Sequence, residues 1–193
     1  MKTRDGGWSC RSGRSAGAFG SGGGASIRDV IGRVVSVNVS PGGVPKLPIS
    51  GAWVGTLGLD ADGHVSPNHG GPRAAVCLYS VEAIARVAAE EHQAFPGAYG
   101  ENLTLEGIDL GALTPGDVLE VGDDGLALEL TQNAAPCAKQ EQWFLEGRIE
   151  RISAKRYPAD ARWYARVLVE GRVRPGDRVE VALVDARTEA APL

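Results

Sequence analysis

A Pro-Gly-Asp turn leading into an alternating apolar segment occurs twice in this chain, as Pro115-Gly116-Asp117-Val118-Leu119-Glu120-Val121 and as Pro175-Gly176-Asp177-Arg178-Val179-Glu180-Val181. Proline presets φ and glycine accepts positive φ, so each run reads as a turn that delivers a strand. The echo predicts two strands entering one sheet system in similar ways. Val35, Val37 and Val39 alternate with other residues, as do Leu126, Leu128 and Leu130, which is the period of a half-buried strand. Helical patterns are few. Ser80 is placed to cap a helix carrying Val81, Ile84, Ala85 and Ala88 on one face and ending before Phe95-Pro96-Gly97. A second helix is expected from about Glu146 to Lys155, and a third from Pro158 to a C′ glycine at Gly171. Many short strands with a few short helices predict a mainly β fold closed into a barrel, because closure removes exposed sheet edges.

With 193 residues the chain is long enough for one ordinary core and short for two. Residues 1–26 are dense in Gly, Ser and Arg and bury too little apolar surface to offset ordering, so they read as a disordered tail. Residues 27–184 form the expected domain and 185–193 a short C-terminal end. The formal net charge of −4 argues against broad charge-driven binding of nucleic acid or acidic membranes. The apolar runs fall short of the roughly 18 residues a membrane helix needs, and the N-terminus lacks the apolar centre of a signal peptide; a cytoplasmic location is the expectation. Cys10, Cys77 and Cys137 lack disulfide-like or Cys-x-x-Cys spacing and should be thiols.

Cys137 follows a strand-like segment, Leu126–Thr131, and a short loop stiffened by Pro136, a position where a rigid sheet presents a side chain to a cleft. Its thiolate could ligate a soft metal, carry a persulfide sulfur or act as a nucleophile, with Lys139 and Arg148 as candidate neighbouring cations; a small buried residue is the alternative. Cys77 lies in the apolar run Ala74–Tyr79 and reads as a buried strand residue, and Cys10 as an incidental thiol of the tail. His69-Gly70-Gly71-Pro72-Arg73 offers an imidazole, two glycines whose N–H groups can approach an anion, and a guanidinium suited to phosphate; a plain surface turn is the alternative. In Gly100-Glu101-Asn102-Leu103-Thr104 a carboxylate and an amide precede a strand, which an Asx turn would also explain. Lys46 sits in a Pro- and Gly-shaped loop, solvated or directed to an anion. Arg148, Arg151 and Lys155 share one face of the second expected helix, either as a solvated face or as a cationic wall.

Taken in order, Ser40-Pro41-Gly42-Gly43-Val44-Pro45-Lys46, His69-Gly70-Gly71-Pro72, Gly100-Glu101-Asn102-Leu103-Thr104 and Pro136-Cys137 resemble the MOSC domain family, named for the C-terminal domain of molybdenum-cofactor sulfurases. The likeness runs from about Val30 to about Val181. It implies a β-barrel that binds molybdenum cofactor (molybdopterin), with Cys137 holding the metal or the sulfur destined for it. By the same resemblance His69, Gly70, Gly71, Lys46 and Asn102 would hold the cofactor and Glu101 would orient it or move protons, while Arg73 and Arg148 are further candidate cations for its phosphate. The family commonly continues His-Gly-Gly-Pro with Asp and a basic residue, where this chain has Arg73 and Ala74. The resemblance implies one of two activities. The first is a small oxidoreductase of N-hydroxylated or related substrates, supplied with electrons by a separate protein. The second is a sulfur carrier or cofactor-delivery module served by a sulfur-donor protein. A barrel that has lost its ligand and binds a partner protein is the third reading.

Overall fold

The computed structural model describes residues 30–63 and 70–182; the expected tail with Cys10, the imidazole of His69, and the C-terminal end lie outside the described residues. Eleven strands and one α-helix follow in chain order: β1 (Val30–Val39), β2 (Leu47–Ile49), β3 (Ala52–Gly55), β4 (Gly58–Leu59), β5 (Val76–Ser80), α1 (Val81–Ala88), β6 (Leu103–Glu106), β7 (Val118–Val121), β8 (Leu126–Ala134), β9 (Arg162–Val169), β10 (Gly171–Val173) and β11 (Arg178–Ala182). Seven of them run β11-β7-β8-β9-β5-β6-β1, and pairing of β1 with β11 closes the barrel, with β2 added beside β1. The two strands of the Pro-Gly-Asp echo are neighbours, Val179 opposite Val121 and Val181 opposite Leu119. Each turn also docks its backbone on an irregularity of a neighbouring strand. Gly116 N donates to Leu130 O at 2.8 Å beside the bulge of β8, and Gly176 N to Val34 O at 2.7 Å beside the bulge of β1.

Alternation settles which side chains fill the barrel. Val76 and Leu78 of β5, Leu103 and Leu105 of β6, Leu126, Leu128 and Leu130 of β8, and Trp163 and Ala165 of β9 share one buried cluster. The three-stranded sheet β10-β3-β4 adds Ala52, Val54, Leu59 and Val173 to it. The barrel interior is therefore packed with side chains. Cys77 and Tyr79, one residue out of phase on β5, face the opposite side, yet all five residues of β5 are buried. A second layer covers that outer face: α1, capped by Ser80 Oγ accepting from Ala83 N, packs with Tyr79, Tyr99, Phe144 and Ile152. Since β5 and β6 are the parallel pair of the sheet, their connection must cross over the barrel wall. Residues 81–102 do so, and this brings the Gly100-Glu101-Asn102 segment beside Cys77.

Three sequence expectations are corrected. Val35, Val37 and Val39 do not form one face, because the bulge between Val34 and Ser36 shifts the phase; Val34 and Val37 are the buried pair. The buried stripe of α1 is Ala83, Ile84 and Val87, with Ala85 and Ala88 exposed. The second and third helices do not exist. Residues 145–152 form short 3-10 turns interrupted by positive φ at Glu146 (55°) and Gly147 (65°), and Pro158–Asp160 is a single 3-10 turn before β9. There the pairing of Trp163 with Leu78 and Asn133 overrides a helical reading of residues 158–171, and Gly171 opens β10 instead of ending a helix.

Leu128 is fully buried in the barrel, so Leu128→Ala should lower stability by about 2–5 kcal/mol. Urea unfolding with an unchanged m-value is the check; a loss well under 1 kcal/mol would show the interior to be loosely packed.

Candidate functional site

The outer face of β5 and β9 is not fully sealed by its covering layer. A cleft partly open to solvent remains there, and Cys77, Arg162 and Tyr164 of the two strands form one wall. Gly43, Val44, Lys46, Gly63 and Gly70 come from the loops after β1 and before β5, Tyr99, Gly100 and Asn102 from the crossover, and Ala135, Cys137, Lys139 and Gln140 from the segment after β8. The four separated motifs therefore converge on one place.

Cys137 stands half-buried where β8 gives way to a 3-10 turn. Two groups absent from the sequence-based candidates fix that turn. Gln140, 1% exposed, accepts from Cys137 N at 2.9 Å through Oε1 and donates through Nε2 to Tyr99 O at 2.6 Å. Arg162 donates to Tyr99 O through Nη1 and to Ala135 O through Nη2 at 3.0 Å, with Gln140 Oε1 3.5 Å from the same nitrogen. Arg162 is 4% exposed, and its Nε has no hydrogen-bond partner among the described residues. No described carboxylate lies within 4 Å of its guanidinium, whereas the buried Arg151 is paired with both Glu90 and Asp160. A buried cation without an ion-pair partner is costly, which makes Arg162 on the cleft wall a candidate contact for negative charge. The signal for it was legible: Arg162 and Tyr164 alternate with Trp163 and Ala165.

The expected site residues divide. Lys46 lines the cleft, but its Nζ is ion-paired with Asp62. Asp62 Oδ2 also accepts from Asn102 Nδ2 at 2.9 Å, and its Oδ1 from Ser40 N at 2.9 Å. Asn102 accepts from Cys77 N through Oδ1 at 3.1 Å, while its own N–H donates to Cys77 O at 2.7 Å. Lys46 and Asn102 thus act on each other through Asp62 and build the wall. Gly70 lines the cleft, with φ of 83°, and Gly71 follows with φ of 82°. Arg73 is exposed and contributes its carbonyl, which accepts from Thr131 Oγ1 at 2.7 Å; Ala74, not Arg73, lines the cleft. Arg148 is exposed and lies 3.5 Å from Glu146, Arg151 is a buried brace, and Lys155 is exposed, so these three form no wall of the cleft.

Glu101 is fully buried beneath the cleft. Its Oε1 accepts from Gly97 N at 2.6 Å and from Thr104 Oγ1 at 3.3 Å, and Oε2 has no hydrogen-bond partner among the described residues. Burial pushes its carboxyl up, only partly offset by the Gly97 N–H and the Arg162 charge. Tyr164 is likewise pushed up to about 12 by desolvation, so it keeps its proton at neutral pH. A carboxyl whose folded pKa is raised binds more protons in the folded state, so it costs stability as pH rises above the unfolded carboxylate pKa of about 4.3. Glu101→Gln should therefore gain stability over wild type at pH 7–8 and lose that advantage near pH 4. Thermal unfolding of both proteins at the two pH values checks this, and an advantage at the acid end alone would contradict it.

A family model for the MOSC domain matches residues 65–180. YflK of Bacillus subtilis is 36% identical over 117 residues, which are 59% of this chain and 50% of that protein. A Gibberella moniliformis protein named reductase is 32% identical over 138 residues, 69% of this chain and 24% of its own. YiiM of Escherichia coli is 28% identical over 139 residues, 69% of this chain and 60% of its own. The chain thus spans only part of the length of these curated relatives. Among solved structures, the YuaD protein of Bacillus subtilis superposes with a TM-score of 0.65 at 15% identity, covering 83% of this chain and all of that one. YiiM of Escherichia coli superposes with a TM-score of 0.61 at 22% identity, covering 82% of this chain and 71% of its own. These likenesses show a shared fold, and with more than half of its length matched by the family model, the chain belongs to the MOSC domain family.

Proposed function

We propose that this protein binds molybdenum cofactor in the cleft through Cys137 and reduces N-hydroxylated or related small substrates. The observation that supports it most is the half-buried Cys137 thiol on the same cleft as the buried, carboxylate-free guanidinium of Arg162. The residues fit such a group. No cluster of three His, Cys, Asp or Glu side chains capable of holding a metal is found among the described residues, so one protein thiolate would be joined by donors that the ligand itself brings. Gly43, Gly70 and Gly100, with positive φ, let the backbone approach a large anionic ligand closely. Arg162 and Lys139 line the cleft and would hold the negative charge that a pterin phosphate presents.

Bound there, the cofactor would supply two-electron redox chemistry. Cys137 would hold the metal, Gln140 and Arg162 would keep the Cys137 turn in place, and Tyr164 would offer a proton from Oη. Glu101 would act from beneath through Gly97 and Thr104, as a positioning residue. Electrons would come from a separate donor protein. The relative named reductase and membership of the family support the reading. Its test is turnover: protein loaded in a cofactor-producing host, given a reduced viologen dye, should convert benzamidoxime to benzamidine. Loaded protein that leaves the dye reduced would overturn the catalytic part.

A second reading, a sulfur carrier with a persulfide on Cys137, is favoured by one specific observation. Cys77, expected to be a plain core residue, also lines the cleft.

A further inference from the structure

The two free thiols of the described chain open on one cleft. Cys77 is there because of strand phase: Val76 and Leu78 fill the barrel, so Cys77 points to the outer face, opposite Tyr164 of β9. It is 4% exposed and fixed by strand pairing and by both backbone bonds to Asn102. Cys137 is half-buried and sits past the end of β8, outside the sheet ladder. Arg162 joins the two. Its guanidinium binds Ala135 O two residues before Cys137, sits 3.5 Å from the Gln140 oxygen that receives the Cys137 N–H, and lines the same cleft wall as Cys77.

We propose that Cys77 is the resolving thiol of Cys137, releasing a sulfane sulfur carried on Cys137 as hydrosulfide. The Cys77 sulfur attacks the Cys137 Sγ, a Cys77–Cys137 bond forms, and the bond from Cys137 Sγ to the outer sulfur breaks. The outer sulfur leaves as hydrosulfide, taking the electron pair, and the Cys77 proton goes to solvent. The outer sulfur is reduced, the cysteine pair is oxidised to a disulfide, and the step itself needs no further reductant. A dithiol such as dithiothreitol resets the pair by exchange. Disulfide geometry asks for Cα atoms about 4.4–6.8 Å apart, so the step requires the two thiols to come within that reach across the cleft they share. Burial pushes the Cys77 thiol up while the Arg162 charge partly offsets this. The step rests on the sulfur-carrier reading of Cys137 and requires no molybdenum.

The test uses the full chain with Cys10→Ser, treated with sodium tetrasulfide, desalted, and followed by intact mass, peptide mapping and sulfide trapping with monobromobimane. The expected sequence is gain of one sulfur on Cys137, then its loss as trapped sulfide, leaving a disulfide between the Cys77 and Cys137 peptides. Cys77→Ala and Cys77→Ser should keep the added sulfur, with release slowed at least about tenfold; circular dichroism verifies their folding. Wild-type protein that keeps its added sulfur, or releases it without the Cys77–Cys137 disulfide, overturns the resolving step alone. Failure of Cys137 to take up sulfur overturns both the step and the sulfur-carrier reading.

Discussion

Arg162→Leu is expected to lower retained molybdenum at least about tenfold, since a hydrogen bond to a charged group is worth about 1.5–3 kcal/mol. Two effects combine. The substitution removes a buried cation of the cleft wall that has no described carboxylate within 4 Å. It also leaves the Ala135 carbonyl without this donor and the Tyr99 carbonyl with Gln140 Nε2 alone, loosening the turn that carries Cys137. Arg162→Lys separates the two, because it keeps the charge and loses the planar fork. If charge dominates, the lysine variant retains metal in a way that weakens with added salt. If the brace dominates, lysine behaves like leucine. Metal content of the three proteins after dialysis at low and high salt reads this directly, and unchanged retention in Arg162→Leu would make the arginine a purely structural clamp.

Legibility in the sequence followed local chemistry and stopped where pairing took over. The Pro-Gly-Asp echo was readable because proline and glycine fix turn geometry on their own, and its two strands are adjacent in the barrel. Leu126, Leu128 and Leu130 were readable because their side of β8 faces a dry interior. Residues 158–171 were misread because a Pro start and a Gly end are helix punctuation, whereas the segment is extended by its partners β5 and β8. That misreading hid Arg162 and Tyr164. Likewise, the valine alternation of β1 failed at a bulge that a neighbouring turn stabilises through Gly176 and Asp177. For the site, the loops that converge on Cys137 were visible as motifs. The ion pair of Lys46 with Asp62 was not, since the two side chains meet only after the loop after β1 folds back on the segment after β4. Cys77 was placed correctly as a buried strand residue, but periodicity cannot say that the face opposite the barrel core borders a cleft.

Cys137→Ser is the substitution with the largest expected effect on the site and a small one on the fold. The residue lies past the end of β8, and its backbone N–H donates to Gln140 Oε1, a bond that serine keeps. Serine cannot supply a soft thiolate. Loading should fall to background while the unfolding midpoint stays within about 1 kcal/mol of wild type. Cys77→Ser, on the same cleft, is the matched control and should retain metal if Cys137 is the ligand.

The most direct test of the account is therefore molybdenum per protein, measured by elemental mass spectrometry on wild type and Cys137→Ser purified side by side from a cofactor-producing host. Near-stoichiometric metal in wild type and background metal in the serine variant is the predicted result; equal metal in both, or none in wild type, would contradict cofactor binding through Cys137.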